Sequence, residues 1–468
     1  MPARLSFLDG SFLRVETPSA HMHVGWKATF RPSPHRPPVT VDAVRALVAS
    51  RLGHAPRFRE RLAFPPAGMA EPVWVDDDRF DLGYHVRGLG EAQRPLTRAR
   101  FDALADRVLS EPLDRTRALW RLHLAPELAD GTVGMVMKIH HAMVDGKSAV
   151  ELGLLLLDLD PDAPAPEPAD DWSPAPAPGA TRMAVDAVLE RGAESLRMAR
   201  GMARAATSPR LAGTLSRATL SLREDLLRPA PASYVNVPIG PQRTLVGHVA
   251  PLGPLLATKA EHGVTLNDVA LAGVAGALRQ LALSHGVLPR PMKVMVPVSV
   301  RTPEEQASLG NQISMTFIDL PVQLRDPIAR LHATHEATSA FKRDDRAAGG
   351  TAVIAALGLL PGPLKTRAAA LAASERVYNL TVSNVPGPRV RAYLLGAELL
   401  EAFPVVPIAA GHALSIGMFS YRDSLCFGGY ADPTALPIVR ELPGALNASI
   451  LELTSVRPLR RARAVARA

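Results

Sequence analysis

Hydrophobic positions along the chain form two alternating regions separated by a stretch of different character. In the first region, VTVDAVRALVASR (39–51) and FDALADRVLSEPL (101–113) repeat apolar residues at helical spacing. PVWVDD and YHVRGL, between them, predict short strands. TVGMVMKIHH, from Thr132, is an apolar run with β-branched residues and methionines, and predicts a buried strand. It ends at HAMVDGKS, after which SAVELGLLLLDL predicts a helix with one broad apolar face. From Asp160 the pattern breaks. DPDAPAPEPADDWSPAPAPGA is rich in proline, alanine and acid, and reads as an exposed, semi-extended linker. Residues 183–227 return to helical spacing, with Arg191, Arg197, Arg200, Arg204, Arg217 and Arg223 among Ala, Leu and Met. Those arginines fit either ordinary solvated helix faces or a basic amphipathic surface resting on anionic lipid. PASYVNVPIGPQ closes this connector.

The second alternating region begins near Gln242. KVMVPVSV, NQISMTFIDL, RVYNLTVSNV, ALSIGMFSY and SLCFGGYAD predict strands. TLNDVALAGVAGALRQLAL, THEATSAFK and residues 352–360 predict helices. Strands interleaved with helices in two halves of similar size predict two lobes of α/β or α+β class. The expected organisation is one lobe over 1–160, a linker and basic helical connector over 161–235, and a second lobe over 236–456. A basic tail, RPLRRARAVARA, follows over 457–468 and lies outside any packed core.

Composition adds little until charge is considered. The hydrophobic share is 47% and the charged share 21%, ordinary for a globular chain able to bury a sizeable core. Lysine and arginine number 53 against 45 acids, a net charge of +8 that invites nucleic acid or an anionic membrane surface. The basic residues are not interleaved with aromatics and no nucleic-acid-binding signature is present, so nucleic acid ranks low. No run approaches the ~20 apolar residues of a membrane span. The opening MPARLSFLDGSFLRVE has no apolar core of a secretory signal. The single cysteine, Cys426, excludes an internal disulfide and reads as a small buried thiol in a reducing compartment. A cytoplasmic protein at the inner face of a membrane or on lipid droplets is expected.

His140, His141 and Asp145, in HHAMVDG, form the one dense cluster of catalytic residue types. Three readings compete. A metal site is disfavoured, since adjacent strand residues point to opposite faces and further ligand spacings are few. A structural reading makes one histidine a core residue and Asp145-Gly146 a turn and helix cap. A general-base reading uses a neutral imidazole at a strand end to take a proton from a hydroxyl. In it the neighbouring histidine fixes the backbone, Asp145 holds the loop by pairing with a core arginine, and Gly146 permits a tight entry into the helix. No G-x-S-x-G elbow is present, so serine-hydrolase chemistry does not fit.

HHAMVDG resembles the HHxxxDG active-site motif of the CoA-dependent acyltransferases of chloramphenicol acetyltransferase type and of peptide-synthetase condensation domains. LSFLDGSFLRVETPSAHMHVG, PVWVDDDRFDLGYHVR and PLDRTRALW are similar to the N-terminal lobe of the bacterial wax ester synthase/diacylglycerol acyltransferase family. TLNDVALAGVAGALR, VPVSVR, LGNQISMTFIDLP, NLTVSNVPGP and GHALSIGMFSY with LCFGGYAD are similar to its C-terminal lobe, in the same order. The resemblance covers nearly everything except the connector and tail. It implies two acetyltransferase-like lobes with a substrate tunnel between them, and His141 as the base. It implies long-chain acyl-CoA as co-substrate, diacylglycerol or a fatty alcohol as acceptor, and no cofactor. Asn267 and Asp268 match the family's Asn-Asp motif, as helix caps or as shapers of the active centre. Ser383 and Asn384 are expected near the tunnel, while Trp120 reads as core or substrate contact. The family usually has Pro-Leu-Trp where this chain has Ala118, Leu119 and Trp120, which is expected to loosen the backbone before Trp120. The rival readings are a polyketide or glycolipid hydroxyl as acceptor, and a non-catalytic lipid-droplet protein.

Overall fold

A computed structural model of the chain describes residues 3–66, 70–90, 94–143, 156–166, 170–207, 228–299, 313–343, 360 and 362–455. Most of the predicted helix following HHAMVDG, most of residues 352–360, the end of the connector and the basic tail lie outside the described residues, and the last positions of that helix, 156–159, are not helical, Asp158 forming a bridge with Tyr393.

The chain opens with α1 (Phe7–Val15), where the Ser6 side chain accepts from the Asp9 N–H as an N-cap. There follow β1 (His23–Arg31), α2 (Val41–Arg51), β2 (Glu60–Ala63), β3 (Val73–Asp76), α3 (Leu82–His85) and β4 (Val86–Gly88). Next come α4 (Arg98–Ser110), β5 (Trp120–Ala125) and β6 (Val133–His140). Every residue of β6 is buried, as its unbroken apolar run predicts. The proline-rich stretch is extended but anchored. Arg59 holds Asp170 and the Trp172 ring meets Phe80 edge-on. It leads into α5 (Ala180–Thr207).

The second half holds β7 (Thr244–Pro251), α6 (Leu252–His262), α7 (Leu266–Ser284), β8 (Met292–Ser299), β9 (Ile313–Leu320), α8 (Pro327–Arg343) and α9 (Gly362–Ala372). β10 (Leu380–Pro386), β11 (Tyr393–Leu394), β12 (Ala397–Val405), β13 (Leu414–Tyr421), β14 (Ser424–Ala431) and α10 (Leu442–Ser455) complete it. α7 is apolar on every side and buried from Asp268 to Leu278, because β-sheet and helices α8 and α10 enclose it.

Two six-stranded mixed sheets organise these elements, one in the order β11-β12-β1-β6-β5-β4 and the other β7-β14-β13-β10-β8-β9. The first sheet is not built from the first half of the chain alone. β12 pairs antiparallel with β1, Gly25 opposite Val405 and Lys27 opposite Phe403, so residues 393–405 belong to the sheet of the other lobe. A lobe boundary drawn at 236–456 therefore needs that exception.

The exchanged strand also packs on the second sheet. Gly417, Gly428 and Gly247 lie side by side across β13, β14 and β7. A Cβ on Gly428 would stand 2.4 Å from the Pro404 carbonyl oxygen, and one on Gly247 would stand 2.7 Å from the Phe403 ring. The glycine row is a flat seat for Phe403 and Pro404, and it locks the two sheets together.

Candidate active site

His141 sits one residue beyond the end of β6, where the apolar run stops. Its backbone N–H donates to the Met22 carbonyl at 2.8 Å, which extends the β1–β6 ladder by one bond. Its half-buried ring stacks on Phe12, with centroids 3.8 Å apart and planes 7° apart. Phe12 belongs to α1 and packs with Ala20, Met22 and Ala409, so the C-terminal half of the chain reaches the wall behind this imidazole. The approach of β1 to β6 is close. A Cβ on Gly25 would fall 1.9 Å from the Met137 carbonyl oxygen, which leaves glycine as the residue that fits.

His140 points the other way and is fully buried. Its Nδ1 accepts the Ala142 N–H at 3.0 Å, so the hydrogen of a neutral ring lies on Nε2. Nε2 faces Glu16 Oε2 at 3.4 Å, long for a hydrogen bond. Glu16 is the C-cap residue of α1, and its N–H donates to the Phe12 carbonyl. Arg115 grips the same carboxylate, its Nε donating to Oε2 at 2.8 Å. Burial alone would raise the Glu16 carboxyl, but the His140 imidazole and the Arg115 guanidinium outweigh it and hold the group at about 2. His23, opposite His140 in the β1–β6 register, is 3.9 Å from Glu16 Oε1. Burial, with Lys138 nearby, pushes His23 well below the ordinary histidine value and favours its neutral form. Lys138, two residues before His140, is itself buried and lowered to about 7 by burial. It donates to the Val108 and Glu111 carbonyls at the end of α4.

The other expected site residues fall in three places. Asp145 and Gly146 lie outside the described residues, and the expected pairing of Asp145 with an arginine falls there with them. Trp120 is core: its Nε1–H donates to the Phe58 carbonyl at 2.8 Å and its ring stacks on His85. It lines an apolar recess with Val48, Leu52, Phe58, Met137 and Leu156. Asn267 and Asp268 open α7 beside β10. Asn384 Nδ2 donates to Asn267 Oδ1 at 3.0 Å, and Ser383 and Asn384 are half-buried. Asp268 completes a capping box with Thr265. Its two carboxylate oxygens also meet His335 Nδ1 at 2.8 Å and the Thr338 hydroxyl at 2.6 Å.

Ala118 does not loosen its surroundings as expected. It is buried, and its N–H donates to Oδ2 of the buried Asp77 at 3.0 Å, a bond a proline could not make.

Phe12, Glu16, Arg115 and His23 are the site residues that sequence reasoning missed. Phe12, Glu16 and His23 lie within the family-like opening segment, but their histidine partners are more than 100 positions away.

Among the described residues no group of three or more His, Cys, Asp or Glu is arranged to hold a metal ion. The sequence matches the wax ester synthase/diacylglycerol acyltransferase catalytic domain over residues 5–270 and the C-terminal domain of the same family over 309–454. A protein of Mycobacterium tuberculosis strain H37Rv named for diacylglycerol O-acyltransferase activity is 30% identical over 461 residues, covering 97% of this chain and 96% of its own. A second from that strain, with the same activity in its name, is 32% identical over 478 residues, covering 97% and 91%. The solved wax ester synthase/diacylglycerol acyltransferase of Marinobacter aquaeolei VT8 superposes with a TM-score of 0.68 at 25% identity, covering 96% of this chain and 98% of that one. The first condensation domain of the calcium-dependent antibiotic synthetase shares the fold, with a TM-score of 0.62 at 16% identity over 97% of this chain and 96% of its own. With its two-lobe fold and both family domains in order, the chain belongs to the wax ester synthase/diacylglycerol acyltransferase family and is an acyltransferase.

Proposed function

We propose that the enzyme transfers a long-chain acyl group from CoA to the hydroxyl of diacylglycerol or of a long-chain fatty alcohol, with His141 as general base. The observation that carries this reading is the unlike placement of two adjacent histidines. His140 is sealed in the core with Nδ1 occupied, while His141 is half-exposed at the strand end, its ring clamped flat against Phe12. His141 takes the hydroxyl proton as the oxygen attacks the thioester carbonyl carbon. The C–S bond then breaks and the departing thiolate takes the proton from the imidazolium, leaving ester and free CoA. Both substrates held together supply proximity, so no covalent acyl-enzyme is needed. Asp145 and Gly146 shape the loop after His141. Asn267, Ser383 and Asn384 lie toward the substrate path between the lobes, and Asp268 holds the start of α7.

A lipid surface is the natural source of either acceptor. Among the described residues no helix is long and apolar enough to cross a membrane. α5 offers a peripheral alternative. Val185, Val188, Leu189 and Leu196 are each 50–65% exposed and fall on one helical face, with exposed Arg182 and Arg200 on its flank. Apolar insertion with arginines at the headgroups suits an anionic membrane or a lipid droplet, and the basic tail adds charge.

The test is purified enzyme with radiolabelled palmitoyl-CoA, given diacylglycerol and hexadecanol in parallel, with products resolved by thin-layer chromatography. Labelled triacylglycerol or wax ester is the expected product. Hydrolysis alone, or transfer to neither alcohol, overturns the reading. Vesicle sedimentation tests the surface: Leu189→Glu with Leu196→Glu is expected to release the protein from anionic vesicles, and unchanged binding removes α5 as the contact.

A further inference from the structure

One helix end touches both histidines of the motif. Phe12, in the last turn of α1, stacks on His141, and Glu16, its C-cap, faces His140. Around His140 every main-chain link is made. Its N–H donates to the Leu119 carbonyl at 2.9 Å, its carbonyl accepts from Met143 N–H at 2.9 Å, and its Nδ1 takes the Ala142 N–H. The ring of His140 is thus the internal brace of the turn that carries His141. A brace works only in one ring orientation and one tautomer, with the hydrogen on Nε2. What holds that hydrogen in place has to come from elsewhere in the fold.

We propose that Glu16 is a positioning residue for acyl transfer: gripped by Arg115, its carboxylate accepts the Nε2 hydrogen of His140 and so sets the turn on which His141 stands. Three observations converge on it. Glu16 is buried between His140 and Arg115, its side chain 9% exposed, although an unpaired carboxylate would seek water. Its two oxygens divide between partners, Oε2 toward His140 and Arg115 and Oε1 toward His23. His23 does not compete, because it stands farther off at 3.9 Å and burial favours its neutral state. The 3.4 Å separation from His140 leaves room to shorten when substrate closes over the site, as hydrogen bonds of resting enzymes often do. Glu16 touches neither substrate nor the transferred proton, and acts only through His140.

The inference rests on His141 being the base, and the experiment separates the two. Glu16→Gln keeps an acceptor oxygen, Glu16→Leu removes it, and Glu16→Leu with Arg115→Met also removes the half-buried guanidinium that would lose its carboxylate partner. Each is compared with wild type and His141→Ala for kcat, KM for palmitoyl-CoA, thermal melting, and the ¹⁵N spectrum of labelled histidine. For the folded double variant kcat is expected to fall ~10–100-fold, the scale of a misplaced catalytic group, with KM within about twofold. Glu16→Gln is expected to recover most of kcat, and the His140 resonance to show the Nε2–H tautomer in wild type and glutamine but a mixture in the leucine variants. A folded double variant with wild-type kcat overturns the proposal. So does a Glu16→Gln enzyme as slow as the leucine variants, or a loss that appears only in KM. Full activity in His141→Ala would instead sink the general-base reading itself.

Discussion

β6 and β10 each stand fourth in a sheet of six, and each runs out against a helix end, yet the two junctions are built from opposite materials. At the end of β6 the strand stays buried through His140, and the contact with α1 is ionic: imidazole, carboxylate and guanidinium. At the end of β10 burial fades from Ser383 onward, and the contact with α7 is one amide pair, Asn384 with Asn267. A carboxylate largely removed from water holds position stiffly, since taking away its partners strands the charge. An amide pair at a half-open surface exchanges partners at little cost, since water or a substrate hydroxyl can replace either side. The first junction suits a group that must not move, the second a surface that meets changing substrates.

The sharpest test is His141→Ala. If the β6 junction exists to hold a base, kcat is expected to fall at least ~100-fold while the melting temperature stays near wild type. His140→Ala is expected to show the reverse emphasis, with lower melting temperature alongside lower activity, because it empties a fully buried position. A fully active His141→Ala enzyme would erase the functional difference between the two strand ends.

Next in size is the stability held at Glu16. Its carboxyl, lowered from 4.5 to about 2 in the fold, stabilises the protein above the unfolded-state value and loses that contribution as pH falls from about 4.5 toward 2. Part of that lowering comes from a protonated His140, so at neutral pH the Arg115 guanidinium carries the charge contribution. The melting-temperature gap between wild type and Glu16→Gln is therefore expected to persist at neutral pH and to close as pH falls from about 4.5 toward 2. A gap independent of pH would mean that shape, not charge, holds the β6 junction. Asp268, at the other junction, follows with a smaller effect. Burial opposes its ionisation, but bonds from Thr338, His335 and Thr265 lower its carboxyl overall. Asp268→Asn is expected to cost ~1–3 kcal/mol at neutral pH and less in acid, with kcat barely changed. A large fall in kcat without loss of stability would give the α7 end a part in the chemistry.

These contrasts were unevenly legible in the sequence. The strand TVGMVMKIHH and the helix after Thr265 are strong local patterns, and the structure has both, because both are buried on every side and carry an uninterrupted apolar signal. β12 (AELLEAFPV) gives no such signal. It contains two glutamates that pair with Arg98 and Arg422 and a proline that sits on the glycine row of the other sheet, so its identity as a strand depends on partners far along the chain. The site divides the same way. His140 and His141 announce themselves by residue type and adjacency, whereas Glu16 is one acid among many until the fold places it against a ring 124 positions later. Periodicity reports burial, and a side-chain contact across that distance leaves no period.

The smallest expected effect concerns the stiffness of the β6 side. Ala118 precedes β5, the neighbour of β6, at the position where the family usually carries proline. If the residue merely tolerated flexibility, Ala118→Pro would stiffen the unfolded chain and stabilise the protein by ~0.4–1 kcal/mol. The structure argues for the opposite sign. The Ala118 N–H is one of the bonds that satisfy the buried Asp77, whose other oxygen accepts the Arg79 N–H at 3.0 Å. Proline deletes that donor and leaves a carboxylate oxygen unpaired in the core, a cost of ~1–3 kcal/mol that exceeds the entropic gain. Ala118→Pro is therefore expected to lower the melting temperature by a few degrees, on the order that such a loss produces in a chain of this size. Pairing it with Asp77→Ala removes the stranded oxygen, so the second substitution is expected to cost less in the proline background than in wild type. A stabilised single variant would show that the backbone before Trp120 was slack after all, and that the rigidity of the first junction ends at His140 and its partners.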